Sequence, residues 1–501
     1  MIRHVLLFPL RARMRVRSVV ASGALTALCA CTVGPDFRQP AATSVSTYTP
    51  DPQPAATEAA SGTAGATQHF VAADSVGDGW WRAFGSPALN ALVQQALDDS
   101  PTLAQARAKL TQAQHDYFAQ AGATEWPQVD ASLSTTREKI DPQALGIGDL
   151  AQGHSFAPFT LYSAKVSVSY TLDLFGANRR ALEALATQVD YQQYELEAAR
   201  LTLAGNVVTS AVRRASLAKQ IALTETLLAV QTRQLDITGQ RYHAGGVSQV
   251  DLLSQRTQVQ QTRATLPPLR TQLAQTDHQL AVYLGRTPAE LATVNSSPAA
   301  LDLDAFVLPT DLPLTLPSTL ARQRPDIRAS EALLHQASAN VGVATANLYP
   351  QITLSGSAAT ERIDVSDLLK GINVWSFGAG LTQPLFHGGE LRARKRSSEA
   401  AYEAALASYR QTVLQGLQQV ADTLRALQQD AIALQALDEA QRNAHASADI
   451  AGQRFAAGGV SQLSLLDTQR QELQTTIDRV KAAAQRYADT AALYQALGAR
   501  P

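Results

Sequence analysis

The chain has 501 residues, a formal net charge of −1, and 17% charged against 45% hydrophobic residues. That balance gives no basic footprint for nucleic acid, and no stretch past residue 31 approaches the ~18 consecutive apolar residues of a membrane-spanning helix. The only cysteines are Cys29 and Cys31, which excludes a disulfide framework or a cysteine metal site in the body of the protein.

Arg3, Arg11, Arg13, Arg15 and Arg17 precede an apolar run from Val19 to Ala30, the pattern of a secretory signal over residues 1–30. Met14 onward is already a complete signal of this kind. The run ends Leu28-Cys29-Ala30-Cys31, which is similar to a bacterial lipobox. Cys31 fits as the lipidated residue, carrying an N-acyl (palmitoyl) chain and an S-diacylglycerol; Cys29 does not, because Leu28 would occupy its small position. Thr32 follows rather than Asp, which by the sorting rule for such lipoproteins implies the outer membrane. Pro40 to Val76 is rich in Ala, Thr, Pro and Ser with no Lys or Arg, and reads as an extended, poorly packed linker.

Ser86-Pro87 and Ser100-Pro101 are helix starts, with Ser as N-cap and Pro at the first helical position. Leu89, Leu92, Val93, Ala96 and Leu97 mark the buried face of the first helix, and the second runs to about Thr124, before Trp126-Pro127. Then the period changes to two. Val129, Ala131, Leu133 and Thr135 alternate with Asp130, Ser132, Ser134 and Thr136; after a loop, Ala164, Val166, Val168, Tyr170 and Leu172 alternate with Lys165, Ser167, Ser169 and Thr171. An apolar face opposite a Ser/Thr/Lys face suits membrane strands with a wet lumen side; a soluble hairpin on a core is the other reading open here. From Ala177 to His243 the pattern is helical and free of proline, about 65 residues or ~100 Å. A return helix from Ser248 to Leu284 carries Pro267-Pro268, where a kink is expected.

After a proline-rich connector the plan repeats. Arg324-Pro325 opens a helix ending at Tyr349-Pro350, which matches Trp126-Pro127. Strands follow around Ile352–Ala358 and Trp375–Leu381. Leu385-Phe386 matches Leu174-Phe175, and a second proline-free helix runs from about Gly389 to Ala457, its return from Ser461 to Leu497. The repeat is clearest where long and return helices meet: Gln240 to Leu253 and Gln453 to Leu466, offset by 213, share ten of fourteen residues. Each is a helix end, a Gly-Gly turn (Gly245-Gly246, Gly458-Gly459), Val247 or Val460, and a Ser (Ser248, Ser461) able to cap the next helix. Four strands cannot close a barrel in lipid, where no sheet edge can be left open. They exclude a monomer; two copies give eight strands and three give twelve.

Cys31-Thr32-Val33-Gly34-Pro35-Asp36-Phe37, Trp80-Trp81, the two halves, the paired Arg-aromatic-x-x-Gly tips and Leu465-Leu466-Asp467 resemble the TolC/OprM-like family of outer-membrane efflux lipoproteins, the NodT type, over essentially residues 31–501. The resemblance implies an α plus membrane-β fold, the TolC-like α/β-barrel, with four strands and four long helical rods per protomer closed by trimerisation. The expected layout is a lipidated N-terminal linker over 31–78, a first repeat over 79–286, an equatorial connector over 287–317 and a second repeat over 318–498. It also implies a homotrimer whose tips meet a periplasmic adaptor protein and an inner-membrane pump, of the resistance-nodulation-division type. Leu463 and Asp467, four apart on one helix face, fall where the family closes the periplasmic end with a leucine and an aspartate ring, and Arg454 is the expected ionic partner of Asp467. Ser464 stands where one family pattern has an acid, so a single carboxylate ring is expected.

The implied function is a passive exit duct of a tripartite efflux pump for small organic solutes, drugs or aromatic compounds. Type I protein secretion is the alternative on the same fold, and a lipid-anchored coiled-coil spacer would need no lumen-type strands. No catalytic constellation, cofactor site or phosphate-binding Gly loop is present in the sequence, and its nine histidines are scattered, so an enzyme is the least favoured class. Export of copper or silver is disfavoured because soft monovalent metals prefer Met and Cys, and the only methionines are Met1 and Met14.

Overall fold

A computed structural model describes residues 32–41, 45–73, 77–139, 157–290 and 301–500. The signal, Cys31 and the hairpin loop 140–156 lie outside the described residues. The helices are α1 (Pro87–Asp99), α2 (Pro101–Glu125), α3 (Ala177–His243), α4 (Gln249–Tyr283), α5 (Pro317–Gln323), α6 (Pro325–Ala346), α7 (Glu390–Ala456) and α8 (Gln462–Ala496). The strands are β1 (His69–Ala72), β2 (Gln128–Glu138), β3 (Phe159–Leu172), β4 (Asp311–Leu314), β5 (Gln351–Arg362) and β6 (Val374–Thr382). The start signals behave as their chemistry requires: Ser86 Oγ accepts from Leu89 N at 3.3 Å, with Pro87 at the first helical position. Leu89, Val93, Ala96 and Leu97 are buried, and Leu92 is half-buried. Pro267 and Pro268 lie inside α4, which runs through them as one helix.

The chain forms two compact units. One gathers residues 111–190 and 331–407 with the N-terminal segment up to Gln39. Its centre is an antiparallel sheet in the order β2-β3-β5-β6. Pairing is continuous from Gln128↔Ser169 to Glu138↔Phe159, from Tyr162↔Arg362 to Leu172↔Ile352, and from Gln351↔Thr382 to Ala359↔Val374. The N-terminal segment is tied to this unit. Val33 N donates to Phe175 O at 3.1 Å, Arg180 Nη2 reaches Asp36 at 2.5 Å, and Phe37 stacks on His335 with ring centroids 4.3 Å apart.

The other unit comprises residues 40–110, 191–330 and 408–501 and holds the main hydrophobic core. Trp80 stacks on Tyr494 at 5.2 Å, and Phe84, Phe306 and Tyr487 pack fully buried, with Tyr487 OH donating to Phe306 O at 2.8 Å. Here the sequence expectation needs correction. Residues 45–73 are not a loosely packed linker. β1 runs parallel to β4, pairing His69 with Asp311 and Ala72 with Leu314, and Thr57, Ala64 and Gln68 are buried. The reason is Arg486 of α8, whose side chain is wholly buried and donates to Ala64 O (2.9 Å), Ala66 O (2.9 Å) and Thr57 Oγ1 (2.8 Å). A buried guanidinium must have its donors satisfied, and a segment of small residues brings its carbonyls close enough to do so. A second clasp lies along the same helices: Asp438 of α7, 2% exposed, accepts from Ser61 Oγ and from Arg479 Nε (2.9 Å), while Arg479 Nη2 returns a bond to Ser61 O at 2.9 Å.

Candidate channel wall and helical tips

The four-stranded sheet has two chemically distinct faces, set by period-two alternation and by register. Val129, Val168, Gly356 and Phe377 align across it, as do Ala131, Val166, Ala358 and Trp375. The opposite face carries Asp130, Ser132, Lys165, Ser167, Ser169, Ser355, Ser357 and Ser376, with Ser357 and Ser376 hydroxyls 2.9 Å apart and Thr171 and Thr353 hydroxyls 3.3 Å apart. Trp375 and Phe377 are 77% and 78% exposed and Leu133 is 74% exposed. Large exposed apolar groups aligned across one face are the wall of a lipid-facing sheet, not a soluble core. Among the described residues β2 and β6 are the sheet's outer strands, each paired on one side only.

The tips are built twice by the same bonds. Gly245 N donates to Tyr242 O (3.0 Å) and Gly246 N to Arg241 O (2.7 Å); Gly458 N donates to Phe455 O (3.0 Å) and Gly459 N to Arg454 O (2.7 Å). This is the Schellman arrangement, and Gly245 and Gly458 both sit at φ 72°, where a side chain would be strained. Ser248 and Ser461 then cap α4 and α8. The glycines and serines are exposed and Val247 and Val460 are half-buried.

Beyond the turn the two tips diverge. Asp251 is used locally: its carboxylate accepts from Ser248 N (3.1 Å) and Ser248 Oγ (2.8 Å), completing a capping box. The second tip has Ser464 there and its acid one turn on, at Asp467. Leu463 is 55% exposed and Asp467 likewise faces outward, whereas Gln462 and Leu466 are buried. Within the chain Asp467 Oδ1 lies 3.8 Å from Arg470 Nη2; it is not brought into an ion pair with Arg454, whose carbonyl serves the Gly turn. Arg470, three residues on and on the same face, was legible as a partner from helix spacing. The structure thus brings Leu463, Asp467 and Arg470 into one exposed stripe.

A polar pair that no motif announces sits between α7 and α8. Asp430 of α7 lies beside Asp489 of α8, two like-charged carboxyls in a partly buried place. Burial and the neighbouring carboxylate push Asp430 up to about 8, against a smaller opposing pull from Arg486. Asp430 Oδ2 is buried with no partner among the described residues. Among the described residues no group of His, Cys, Asp and Glu is arranged to hold a metal ion.

A sheet with one apolar and one hydroxyl-lined face, joined to paired helical hairpins, defines an outer-membrane channel protein. The chain matches the outer membrane efflux protein family over residues 92–286 and 316–499 and belongs to it. It is 32% identical over 422 residues to the pyoverdine export outer membrane protein OpmQ of Pseudomonas putida, covering 84% of this chain and 87% of that protein. It is 30% identical over 493 residues to the outer membrane protein OprJ of Pseudomonas aeruginosa, covering 97% and 96%. The open-state MtrE outer membrane channel of Neisseria gonorrhoeae superposes with a TM-score of 0.78 at 25% identity, over 94% of this chain and 98% of that one. The protein is therefore an outer-membrane efflux channel with the TolC-like fold and not an enzyme, and it serves as the exit duct of a tripartite pump. The protein-secretion alternative is not favoured.

The raised Asp430 carboxyl makes stability depend on pH. Asp430 is raised in the folded state from 3.8 to about 8, so its stabilisation is complete below pH 3.8 and is lost progressively as pH rises towards 8. Thermal melts of purified protein from pH 5 to pH 9 should show a falling midpoint in the wild type and a flatter profile in Asp430→Asn. Equal slopes in both would contradict the raised Asp430 carboxyl.

Proposed function

We propose that the protein works as a homotrimer, carrying small organic solutes from the periplasm to the exterior, with its tips docked on a periplasmic adaptor of a resistance-nodulation-division pump. The observation that carries the trimeric reading is the sheet: among the described residues, four strands with two faces of opposite polarity and both edges unpaired. In lipid each unpaired backbone group costs several kcal/mol, so the edges must be closed by other copies. Three copies make twelve strands, enough to leave a lumen where two would fill it with side chains. The Ser/Thr face of each sheet lines that lumen. Organic cargo is supported by a relative named for pyoverdine export and by the scarcity of Met and Cys noted above.

In this reading Cys31 carries the lipid anchor, while the barrel provides the insertion. Mass spectrometry of the mature N-terminus should find Cys31 acylated and linked to diacylglycerol; an unmodified Cys31 would refute the anchor.

Gly245-Gly246-Val247-Ser248 and Gly458-Gly459-Val460-Ser461 present exposed backbone and a small apolar group at two matched sites, a surface suited to the adaptor. The double variant Val247→Asp, Val460→Asp should abolish efflux and leave trimer content unchanged. Drug resistance at the wild-type level in cells carrying it would exclude docking here.

Leu463 and Asp467 form the gate. Three Asp467 carboxylates around a threefold axis repel unless neutralised, and Arg470 beside each, with Arg454 of a neighbouring copy, supplies the countercharge. A closed end held by such contacts is a bistable element that a docked partner biases open. Asp467→Ala with Arg454→Ala should raise the single-channel conductance of purified trimers several-fold. Conductance equal to the wild type would place the constriction elsewhere.

A further inference from the structure

The two repeats make unequal contacts within one chain, and the inequality is confined to matched positions. Phe175, just after β3, stacks on Tyr349, with ring centroids 4.8 Å apart and planes 21° from parallel. Tyr349-Pro350 leads into β5 as Trp126-Pro127 leads into β2, and Leu385-Phe386 follows β6 as Leu174-Phe175 follows β3. The existing joint is thus made by the aromatic after one repeat's second strand and the aromatic before the other repeat's first strand. The remaining two members of the set, Phe386 and Trp126, are 88% and 69% exposed, and Leu385 is 92% exposed. The space around them is open. A Cβ at Gly388 or Gly389 would meet nothing within 4 Å, whereas one at Gly176, beside the occupied joint, would lie 2.5 Å from Thr32. β3 and β5, which bring Phe175 to Tyr349, are paired neighbours; β6 and β2, which carry the free aromatics, are the two open edges.

We propose that Phe386 of one copy stacks on the partner's Trp126, repeating between copies the joint that Phe175 and Tyr349 make within each. This rests on the oligomeric reading above, because it needs a second copy whose β2 edge meets β6. Strand parity agrees. In the β3–β5 register Tyr170 faces Leu354 and Val168 faces Gly356. Carried to the free edges by the matched Trp126/Tyr349 and Phe175/Phe386 positions, that register sets Leu381 opposite the partner's Ala131 and Ala379 opposite the partner's Leu133. Both pairs keep apolar residues on the face where Trp375 and Phe377 lie; an odd slip would turn that face over. The joint fixes register at the point where three chains must close without a covalent link, and a stacked aromatic pair with defined geometry suits that task.

The test places a photoreactive benzoylphenylalanine at position 386, which retains a ring there, in full-length protein in native membranes. Irradiation should give covalent species of two and three chain masses, with the adduct on the peptide that contains the partner's Trp126. As a second measurement, Trp126→Cys with Phe386→Cys and a short bis-maleimide should give the same ladder, while Phe175→Cys with Tyr349→Cys should cross-link only within single chains. Adducts on lipid, on the same chain or elsewhere on the partner, in protein that still sizes as a trimer, would overturn the joint and leave the trimer standing. Wild-type protein that sizes as anything other than a trimer would overturn the oligomeric reading and the joint with it.

Discussion

The unpaired backbone of β2 and β6 is the constraint on which the rest depends. In water, an edge strand is a liability that proteins blunt with charge, proline or a bulge. This sheet carries Trp375, Phe377 and Leu381 along one edge strand and Val129 and Leu133 along the other, all exposed. Such edges are tolerable only when a neighbouring strand completes them and when the apolar face meets lipid. The same alternation that gives a lipid side places Ser, Thr and Lys on the other face, so one pattern specifies both membrane insertion and a hydrated passage.

Much of this was legible in the sequence because the elements are long and strongly periodic. Ala177–His243 was expected from the absence of proline and observed with those bounds. The Gly-Gly tips were legible because Schellman geometry demands a residue tolerant of positive φ, and the repeat wrote the signal twice. Strand ends were less sharp: β3 begins at Phe159 and β5 extends to Arg362, since pairing with a neighbour, not local alternation, decides where a strand stops.

The segment before Trp80 was misread for a physical reason. Its composition is dominated by Ala, Thr, Pro and Ser with few large apolar side chains, and composition is what linker rules weigh. What orders it, beside Tyr48 and Phe70 packing on the core, is its backbone carbonyls and a small hydroxyl offered to Arg486 and Arg479, two cations on α8 that need partners. The Asp430–Asp489 pair was invisible for a similar reason, because the two residues are far apart in sequence and meet only when α7 packs on α8. Asp467 shows the intermediate case: the expected partner was Arg454, across the turn, while its neighbour in the chain is Arg470, which i,i+3 helix spacing would have pointed to.

Amide hydrogen exchange on the protein reconstituted in lipid tests the central claim most directly. If copies close the sheet, the amides of Gln128–Glu138 and Val374–Thr382 should be protected as strongly as those of Phe159–Leu172 and Gln351–Arg362. Exchange of the two outer strands orders of magnitude faster than that of the two inner ones would show open edges and contradict the account.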